Sequence, residues 1–238
     1  ADHHDGLSDD EFSLILDDLE SYLVRRSVCD LTPKNYNRIF LNLLKALKSV
    51  EKPCRAALQC EMLALQGDSS VWPDDEVFNR HWLQEPIYRK LGTAKTRMIL
   101  EALELAYQTS RQERIQIDDD LTIEHIMPQN GNALDWPQPP NQADGKPDWE
   151  AIYRRSTLRE SIGNLSLLVK PLNSSISDSS FAVKRPQIAL ESRLRLNTYF
   201  QQFSDDHVWN EDAILARGAQ LFELAKSIWP HPGRKVGN

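Results

Sequence analysis

The chain has 238 residues and a net charge of −7, with 26% charged residues and 40% in the hydrophobic set AVILMFWYC. This balance is typical of globular proteins and excludes a disordered chain, and no apolar run reaches the ~18–20 residues of a membrane span. Cys29, Cys54 and Cys60 form no C-x-x-C pair. A zinc ribbon or a disulfide framework is therefore disfavoured, and a reducing, cytoplasmic setting is predicted.

The first 110 residues carry the patterns of successive amphipathic helices. Ser8 and Glu11 form a capping box ahead of apolar residues at helical spacing between Phe12 and Leu23. Thr32-Pro33 predicts the start of a second helix. Further helices are predicted from Pro53 toward Gly67, from near Pro73, and from Thr93 past Tyr107. Because nothing here assembles a chemical site, residues 1–110 are predicted to be a helical scaffold.

The pattern changes near Arg111, and residues 111–238 are predicted to form a second part. β-favouring residues (Ile115, Ile117, Leu121, Ile123 and Ile126) predict a strand, and residues 129–148 are rich in proline and glycine, as loops are. The later predicted elements are one or two helical turns over Asp148–Arg155, a strand over Leu165–Val169, a helical region from Asn173 to about Phe203, and a helix from Asn210 to Trp229. The expected order is strand, long loop, strand, helix.

Charge is unevenly distributed along this second part. Residues 150–195 hold eight basic and four acidic residues, a local charge of +4 against −11 for the rest of the chain. A basic segment in an acidic protein is typical of a phosphate-binding cleft, although a solvated helix face explains it equally well. The basic residues are Arg154, Arg155, Arg159, Lys170, Lys184, Arg185, Arg193 and Arg195.

Three sequence pieces in this part combine residues suited to phosphodiester hydrolysis. They are Glu124-His125-Ile126-Met127-Pro128, then Gly163-Asn164-Leu165-Ser166-Leu167-Leu168, then Asn173 with Phe181 and Lys184 downstream. Glu124 and Asn173 offer oxygen ligands for Mg²⁺ or Mn²⁺, and His125 is suited to take a proton from water. Glu124 and His125 point to opposite faces of a strand unless the strand ends there, and the nearby proline makes that end plausible.

The pieces E-H-I-x-P, G-N-L-x-L-L, L-N and F-x-x-K resemble an HNH nuclease of the His-Me finger, or ββα-metal, fold. More narrowly, they resemble the C-terminal nuclease domain of GmrSD-type modification-dependent restriction enzymes, which also occurs in phosphorothioate-sensing phage-defence nucleases. Arg25-Arg26, Pro86-Ile87-Tyr88 and the spacing between Trp209 and Trp229 look like the same family. The resemblance therefore extends over most of the chain, including the helical half.

The resemblance implies a role for each matching residue. His125 matches the general base, and Glu124 matches a metal-site residue. Asn173 matches the third letter of the HNH motif as a metal ligand. Asn164 matches the middle asparagine, which ties the strands together and orients the histidine. Lys184 falls where a basic residue meets the phosphate. Glu stands where Asp is common and Asn stands in place of a third-letter His, so direct metal contact by Glu124 is left open.

We therefore expect a mainly α fold with a small ββα-metal core, and a metal-dependent DNA endonuclease that nicks or cuts double-stranded DNA in prokaryotic restriction or phage defence. The expected cofactor is Mg²⁺ or Mn²⁺, and no membrane partner is expected. The expected DNA-binding residues are Arg154, Arg155, Arg159, Lys170, Lys184 and Arg185. The resemblance also implies a preceding ParB-like nucleotide-hydrolysing or sensor domain, with which the absence of an initial Met agrees.

Other interpretations stay open from the sequence. The chain could be a non-catalytic DNA-binding module, or a helical regulatory module, derived from an HNH nuclease. Glu124 could be an edge-strand charge, Asn164 a turn residue, and Asn173 a helix N-cap without a metal. Lys184 and Arg185 could form a solvated pair.

Overall fold

A computed structural model describes residues 7–51, 53–107, 121–132, 134–204 and 206–233. Over these residues the chain is mainly helical, with ten α-helices and one two-stranded sheet, so the expectation of a mainly α protein is confirmed. In the same ranges, no helix is both long and apolar enough to cross a membrane.

The elements follow the chain order that the sequence predicts. The helices are α1 (Asp9–Val28), α2 (Tyr36–Ser49), α3 (Arg55–Leu63), α4 (Asp75–Gln84), α5 (Ile87–Tyr107), α6 (Trp149–Arg159), α7 (Lys170–Ile176), α8 (Phe181–Glu191), α9 (Arg195–Thr198) and α10 (Glu211–Ile228). The strands are β1 (Leu121–His125) and β2 (Leu165–Val169). Short 3-10 turns cover Ile162–Asn164 and Tyr199–Gln202.

The chain divides into two compact units, one formed by residues 1–81 with 225–238 and the other by residues 82–224. These limits differ from the predicted boundary between residues 110 and 111, which lies outside the described residues together with Arg111, Ile115 and Ile117. The prediction that residues 1–110 are a scaffold and that residues 111–238 carry the nuclease concerns function, and it stays a prediction.

The first unit is built around α1, whose two consecutive arginines are both buried. The predicted cap is present, since Ser8 Oγ accepts a hydrogen bond from Glu11 N at 3.2 Å. Arg25 donates to Trp229 O at 2.8 Å, and its guanidinium lies 4.7 Å from the Phe78 ring. Arg26 donates to backbone carbonyls that include Val71 O at 2.7 Å. Because both guanidinium groups bind backbone carbonyls and Arg25 also contacts a buried ring, the role of this arginine pair is structural.

Two helix starts differ from the sequence prediction. α2 begins at Tyr36 rather than just after Thr32, because residues 34 and 35 form a turn before the first helical residue. α5 begins at Ile87 rather than Thr93, because a helical segment precedes Gly92, which kinks the helix with a φ of 72°. Glycine adopts this left-handed backbone without the strain of a Cβ. The earlier start places Tyr88 on a helix in the second unit.

The second unit contains the two strands in antiparallel register, with Glu124 opposite Ser166 and His125 opposite Leu165. β1 ends at His125, as the proline at 128 suggested. α6 is longer than the predicted one or two turns, and Asp148 caps it through a 3.0 Å bond from Ala151 N. α7 follows β2 directly and contacts both strands.

The region predicted as one helix from Asn173 to Phe203 is divided into α7, α8, α9 and a 3-10 turn. Ser177 ends α7 with a φ of 36°, which a continuous helix does not allow. Ser192, the residue after α8, has an extended backbone conformation, so the helix ends before it. The apolar pattern persists across these breaks because each segment buries one face in the same core, through Ile176, Phe181, Ile188 and Phe200.

The turn before β2 lies directly on α10. A Cβ at Gly163 would come within 2.1 Å of Ile214 O, so only glycine permits this approach. Arg217 is fully buried beneath the turn and donates to Gly163 O at 2.9 Å and Leu165 O at 2.6 Å. Burial lowers the pKa of Arg217 to about 10, which leaves the guanidinium charged at neutral pH. This packing fixes the start of β2, and hence its register with β1.

Candidate functional site

His125 lies at the end of β1 with its side chain 12% exposed. Its Nε2 faces Glu160 Oε2 at 3.6 Å, a separation suited to an ion pair but longer than a hydrogen bond. Both atoms are enclosed and have no hydrogen-bond partner. The Tyr88 ring meets the imidazole edge-on, with 4.9 Å between ring centroids. The predicted base is therefore enclosed on one side by an acid and an aromatic ring.

Glu160 is a buried carboxylate at the C-terminal end of α6. Its Oε1 accepts a hydrogen bond from Gln129 Nε2 at 2.8 Å, and its backbone O accepts one from Tyr88 N at 2.9 Å. Burial opposes ionisation, but the contacts with His125 and Gln129 lower the pKa of Glu160 overall. Glu160 therefore presents a negative charge to His125 at neutral pH.

Glu160 was not predicted as a site residue from the sequence, where it is only one of the four acidic residues of the basic segment 150–195. No local spacing links it to His125, because the contact forms only when the end of α6 meets the end of β1. Tyr88 did carry a signal, since it belongs to the Pro86-Ile87-Tyr88 piece of the resemblance.

On the other side of the strand end, Glu124 is held by Lys184. Glu124 is 5% exposed and Lys184 is fully buried. Lys184 Nζ lies 2.5 Å from Glu124 Oε1 and donates to His125 O at 2.9 Å. Burial raises the pKa of Glu124 and lowers the pKa of Lys184, and the contact between the two groups opposes both shifts. The contact therefore pairs two buried groups of opposite charge.

The position of Lys184 corrects two expectations. Its ammonium is enclosed and bonded to Glu124, so it does not fit the predicted contact with a DNA phosphate. Nor do Lys184 and Arg185 form a solvated pair, because Lys184 is fully buried and Arg185 is partly buried. Lys184 instead joins α8 to the end of β1.

Asn164 is fully buried and connects the segments on either side of His125 and Glu160. Its Oδ1 accepts hydrogen bonds from Met127 N at 2.8 Å and Trp209 Nε1 at 3.0 Å. Its Nδ2 donates to Met127 O at 2.9 Å and Arg159 O at 2.8 Å. These four bonds use the full capacity of the amide. The side chain therefore holds the backbone beside the site and has no capacity left for substrate.

Asn173 lies on α7, one turn into the helix, and its amide is turned toward β1. Nδ2 donates to Thr122 Oγ1 at 2.9 Å and to Ile123 O at 3.1 Å. The N-cap of α7 is Val169, so the alternative that Asn173 is a helix N-cap is wrong. No bond to Asn173 Oδ1 occurs among the described hydrogen bonds, which leaves that oxygen as its available ligand atom.

The predicted metal site stays a prediction, and one feature of the structure opposes metal binding by Glu124. Glu124 Oε1 is already against an ammonium group, which would repel a divalent cation. Across the residues with a described position, no three His, Cys, Asp or Glu side chains are placed to hold a metal ion. Mg²⁺ and Mn²⁺ need several oxygen ligands. Glu124 and Asn173 would therefore supply only part of such a set, and water or substrate oxygens would have to supply the rest.

The predicted DNA-binding residues separate into structural and accessible groups. Arg155 hydrogen-bonds to Glu211 and Pro137 O, and Arg159 donates to Gln129 O at 2.9 Å. Burial raises the pKa of Glu211, but the hydrogen bonds it accepts and the positive charges of Arg155 and Arg154 together lower it, so the net shift is downward.

Two other basic residues of that set are open to solvent. Arg154 is 56% exposed and lies 3.7 Å from the exposed carboxylate of Asp212. Lys170 is exposed at the start of α7. They are therefore better placed for a DNA phosphate than Arg155, Arg159 or Lys184.

Comparison with known proteins places these residues in a family. No curated protein matches the chain. A family model described as GmrSD restriction endonucleases, C-terminal domain, matches residues 72–224. This range contains Tyr88, His125, Glu160, Asn164 and Lys184, and it supports a nuclease of the restriction-endonuclease type, for which DNA is the implied substrate. Because the match covers more than half of the chain, this protein belongs to the GmrSD restriction endonuclease family and carries its C-terminal domain.

Proposed function

We propose that this protein hydrolyses phosphodiester bonds of double-stranded DNA, with His125 as the general base, in a prokaryotic restriction or phage-defence system. The observation that carries the proposal is the position of His125 at the end of β1, partly exposed and backed by the buried Glu160 carboxylate. The family match adds a nuclease context to this geometry.

The HNH type belongs to this proposal. The observed order of β1, a long loop, β2 and α7 is the order that the resemblance implies for a ββα-metal finger, and it supports the proposal. The proposal assigns the three HNH positions to His125, Asn164 and Asn173, which lie on or beside these elements. In this arrangement His125 takes a proton from the water that attacks phosphorus, a step that contributes about 10²–10⁴-fold to a rate. Asn164 holds the backbone that follows His125.

We assign binding of the DNA backbone to the exposed basic side chains. Arg154 and Lys170 have accessible charged groups, and phosphate contacts position a duplex without reading its sequence. With a net charge of −7 for the chain, binding should be weak and should fall steeply as salt rises. We therefore expect slow nicking with little sequence or modification preference.

Dependence on Mg²⁺ or Mn²⁺ is expected from the resemblance alone. A bound cation would stabilise negative charge on the phosphate. Among the described residues no hydrogen bond is made to Asn173 Oδ1, whereas Glu124 is paired with Lys184 through Oε1. Addition of excess EDTA tests this expectation, and undiminished cleavage in EDTA would contradict it.

A second candidate function is a non-catalytic DNA-binding or regulatory module. The closed Glu124–Lys184 pair favours it, because that pair takes the acid that the resemblance assigns to the metal. The two candidates differ in whether DNA is cut. A DNA-binding module would bind DNA without cutting it, whereas a regulatory module need not bind DNA.

Nicking of supercoiled plasmid separates the two candidates. The wild-type protein and the His125→Ala variant are incubated with plasmid and Mg²⁺ or Mn²⁺, with His231→Ala as a histidine control from the first unit. We expect nicking by the wild type and the control, and a rate lower by about 10²–10⁴-fold in His125→Ala. DNA binding without nicking by the wild type, at any concentration of either cation, would favour the non-catalytic module.

A further inference from the structure

We propose that Glu160 is a positioning residue that keeps a proton on His125 Nε2 and so makes Nδ1 the nitrogen that takes the proton from water. The inference rests on the proposed function of His125 as a base. It adds the atom that acts and the carboxylate that selects it, neither of which the sequence pieces indicate.

The Glu160 side chain is held so that one oxygen faces the imidazole. Oε1 is fixed by the 2.8 Å bond from Gln129 Nε2, and the backbone is fixed by Tyr88 N at 2.9 Å and by its own N–H bond to Thr157 O at 3.1 Å. Oε2 is left without a hydrogen bond, is enclosed, and lies 3.6 Å from His125 Nε2. A buried carboxylate oxygen without a partner is costly unless it faces a donor.

The chemistry of the two groups decides which ring nitrogen carries the proton. An ionised carboxylate only accepts hydrogen bonds, and a neutral imidazole has one N–H donor and one lone pair. A lone pair on Nε2 would face the negative Oε2 and be repelled, whereas an N–H there is attracted. Nε2–H is therefore the favoured tautomer. A contact of 3.6 Å can tighten when substrate binds, as catalytic hydrogen bonds often do.

Accessibility assigns the other nitrogen to the reaction. Nε2 is enclosed, but the His125 side chain keeps 12% of its surface exposed. Nδ1 is not among the enclosed unpaired atoms, and no described hydrogen bond involves it. The edge-on Tyr88 ring restrains the imidazole. Water therefore reaches the ring on the Nδ1 side, where the lone pair lies.

Ring nitrogen signals test the orientation without any cleavage. The protein labelled with ¹⁵N-histidine is examined by long-range proton–nitrogen NMR at a pH where His125 is neutral, and His125→Ala assigns its signals. We expect Nε2 protonated and Nδ1 unprotonated in the wild type, and a mixture of tautomers in Glu160→Met. Glu160→Gln, which keeps an acceptor oxygen, should stay closer to the wild type. A wild-type proton on Nδ1 would overturn the proposal.

Cleavage kinetics test what the orientation does. In Glu160→Met we expect kcat to fall by about 10–100-fold with little change in KM, as for other residues that orient a reactive group. Glu160→Gln should lose less. Glu191→Met, the same change at an exposed glutamate of α8, serves as the matched control and should leave kcat unchanged. Thermal unfolding of each variant checks that it is folded.

The two tests separate the two ideas. Wild-type cleavage with unchanged kcat and unchanged ring signals in Glu160→Met would overturn the role of Glu160 and leave the proposed function standing. Absence of wild-type cleavage, with Nε2–H present and lost in Glu160→Met, would overturn the proposed function and leave the orientation of His125 supported.

Discussion

The end of β1 carries two acid–base pairs on opposite sides, and they differ in tightness and exposure. Glu124 and Lys184 lie 2.5 Å apart with side chains 6% and 0% exposed, so the pair is closed to solvent. His125 and Glu160 lie 3.6 Å apart, with His125 12% exposed. Neighbouring residues in sequence therefore enter different environments, one suited to structure and the other to proton transfer.

The difference indicates which of the two acids, Glu124 or Glu160, is better placed to act with the proposed base His125. Burial of a closed ion pair has a high cost of desolvation, which the attraction between the two charges offsets. Removal of one partner leaves the other charge buried without compensation. A loose pair with one accessible nitrogen can change its protonation with little rearrangement. Glu160 therefore fits the reacting side of β1 better than Glu124 does, although Glu124 stands next to His125 in the sequence.

The largest expected effect comes from removal of the proposed base, His125. His125→Ala should lower plasmid nicking by about 10²–10⁴-fold, because the attacking water loses its proton acceptor. The imidazole makes no tight hydrogen bond, so the thermal midpoint should change little. Nicking at the wild-type rate, measured with DNA binding shown to be equal, would place the reactive group elsewhere.

Removal of one partner from the closed pair should mainly cost stability. Lys184→Met leaves the Glu124 carboxylate enclosed without a counter-charge, and we expect the free energy of unfolding to fall by about 3–5 kcal/mol. Urea unfolding measures the loss. The double variant Glu124→Gln with Lys184→Met should recover most of it, since neither charge is then buried alone. A single variant as stable as the wild type would show that the pair is not structural.

Asn164 holds the backbone beside His125 and Glu160. Its removal tests whether the stability of the fold and the activity of the site are linked. Asn164→Ala deprives Met127, Trp209 Nε1 and Arg159 O of their partners. We expect a loss of about 2–3 kcal/mol in urea unfolding, together with reduced nicking, because unpaired buried groups are costly. Equal stability of the variant and the wild type would contradict the assigned tying role.

Glu211 provides a pH-dependent contrast with the two pairs at β1. Burial raises the pKa of Glu211, but the hydrogen bonds it accepts and the nearby arginines Arg155 and Arg154 together bring it below 4.5. A depressed carboxylate pKa stabilises the fold above the unfolded pKa, and that stability is lost as pH falls through the folded pKa. Glu211→Gln should therefore cost about 1 kcal/mol at neutral pH and progressively less at acidic pH, as the wild-type carboxylate becomes protonated. Urea unfolding at neutral and at acidic pH checks the convergence.

The smallest expected effect separates accessible from structural arginines. Arg154→Ala should weaken DNA binding several-fold and reduce the salt slope of log K by about one, because one phosphate contact is lost. Gel shifts over a series of salt concentrations measure the slope. Lys34→Ala, a change at an exposed lysine of the first unit, is the control. A slope identical to that of the wild type would remove Arg154 from the DNA surface.

The sequence by itself predicted the elements whose signals are local. Helical spacing and the Ser8 cap located α1, and β-favouring residues with a proline-rich loop located β1, the loop and β2. The motif pieces also identified the family, and they put His125, Asn164 and Asn173 on or beside the strands and helix where the structure has them. Such signals depend on neighbours within a few positions, so they can be read without a fold.

The tertiary structure alone decided which side chains meet. Tyr88, on the segment of α5 before Gly92, contacts the His125 imidazole. Glu160, at the end of α6, lies against the same imidazole. Lys184 reaches Glu124 only because α8 packs beside β1. Each of these contacts joins residues far apart in sequence, and strand register and helix packing set their distances. The sequence therefore determined which residues are available for chemistry, and packing determined which of them are enclosed and which are open to water.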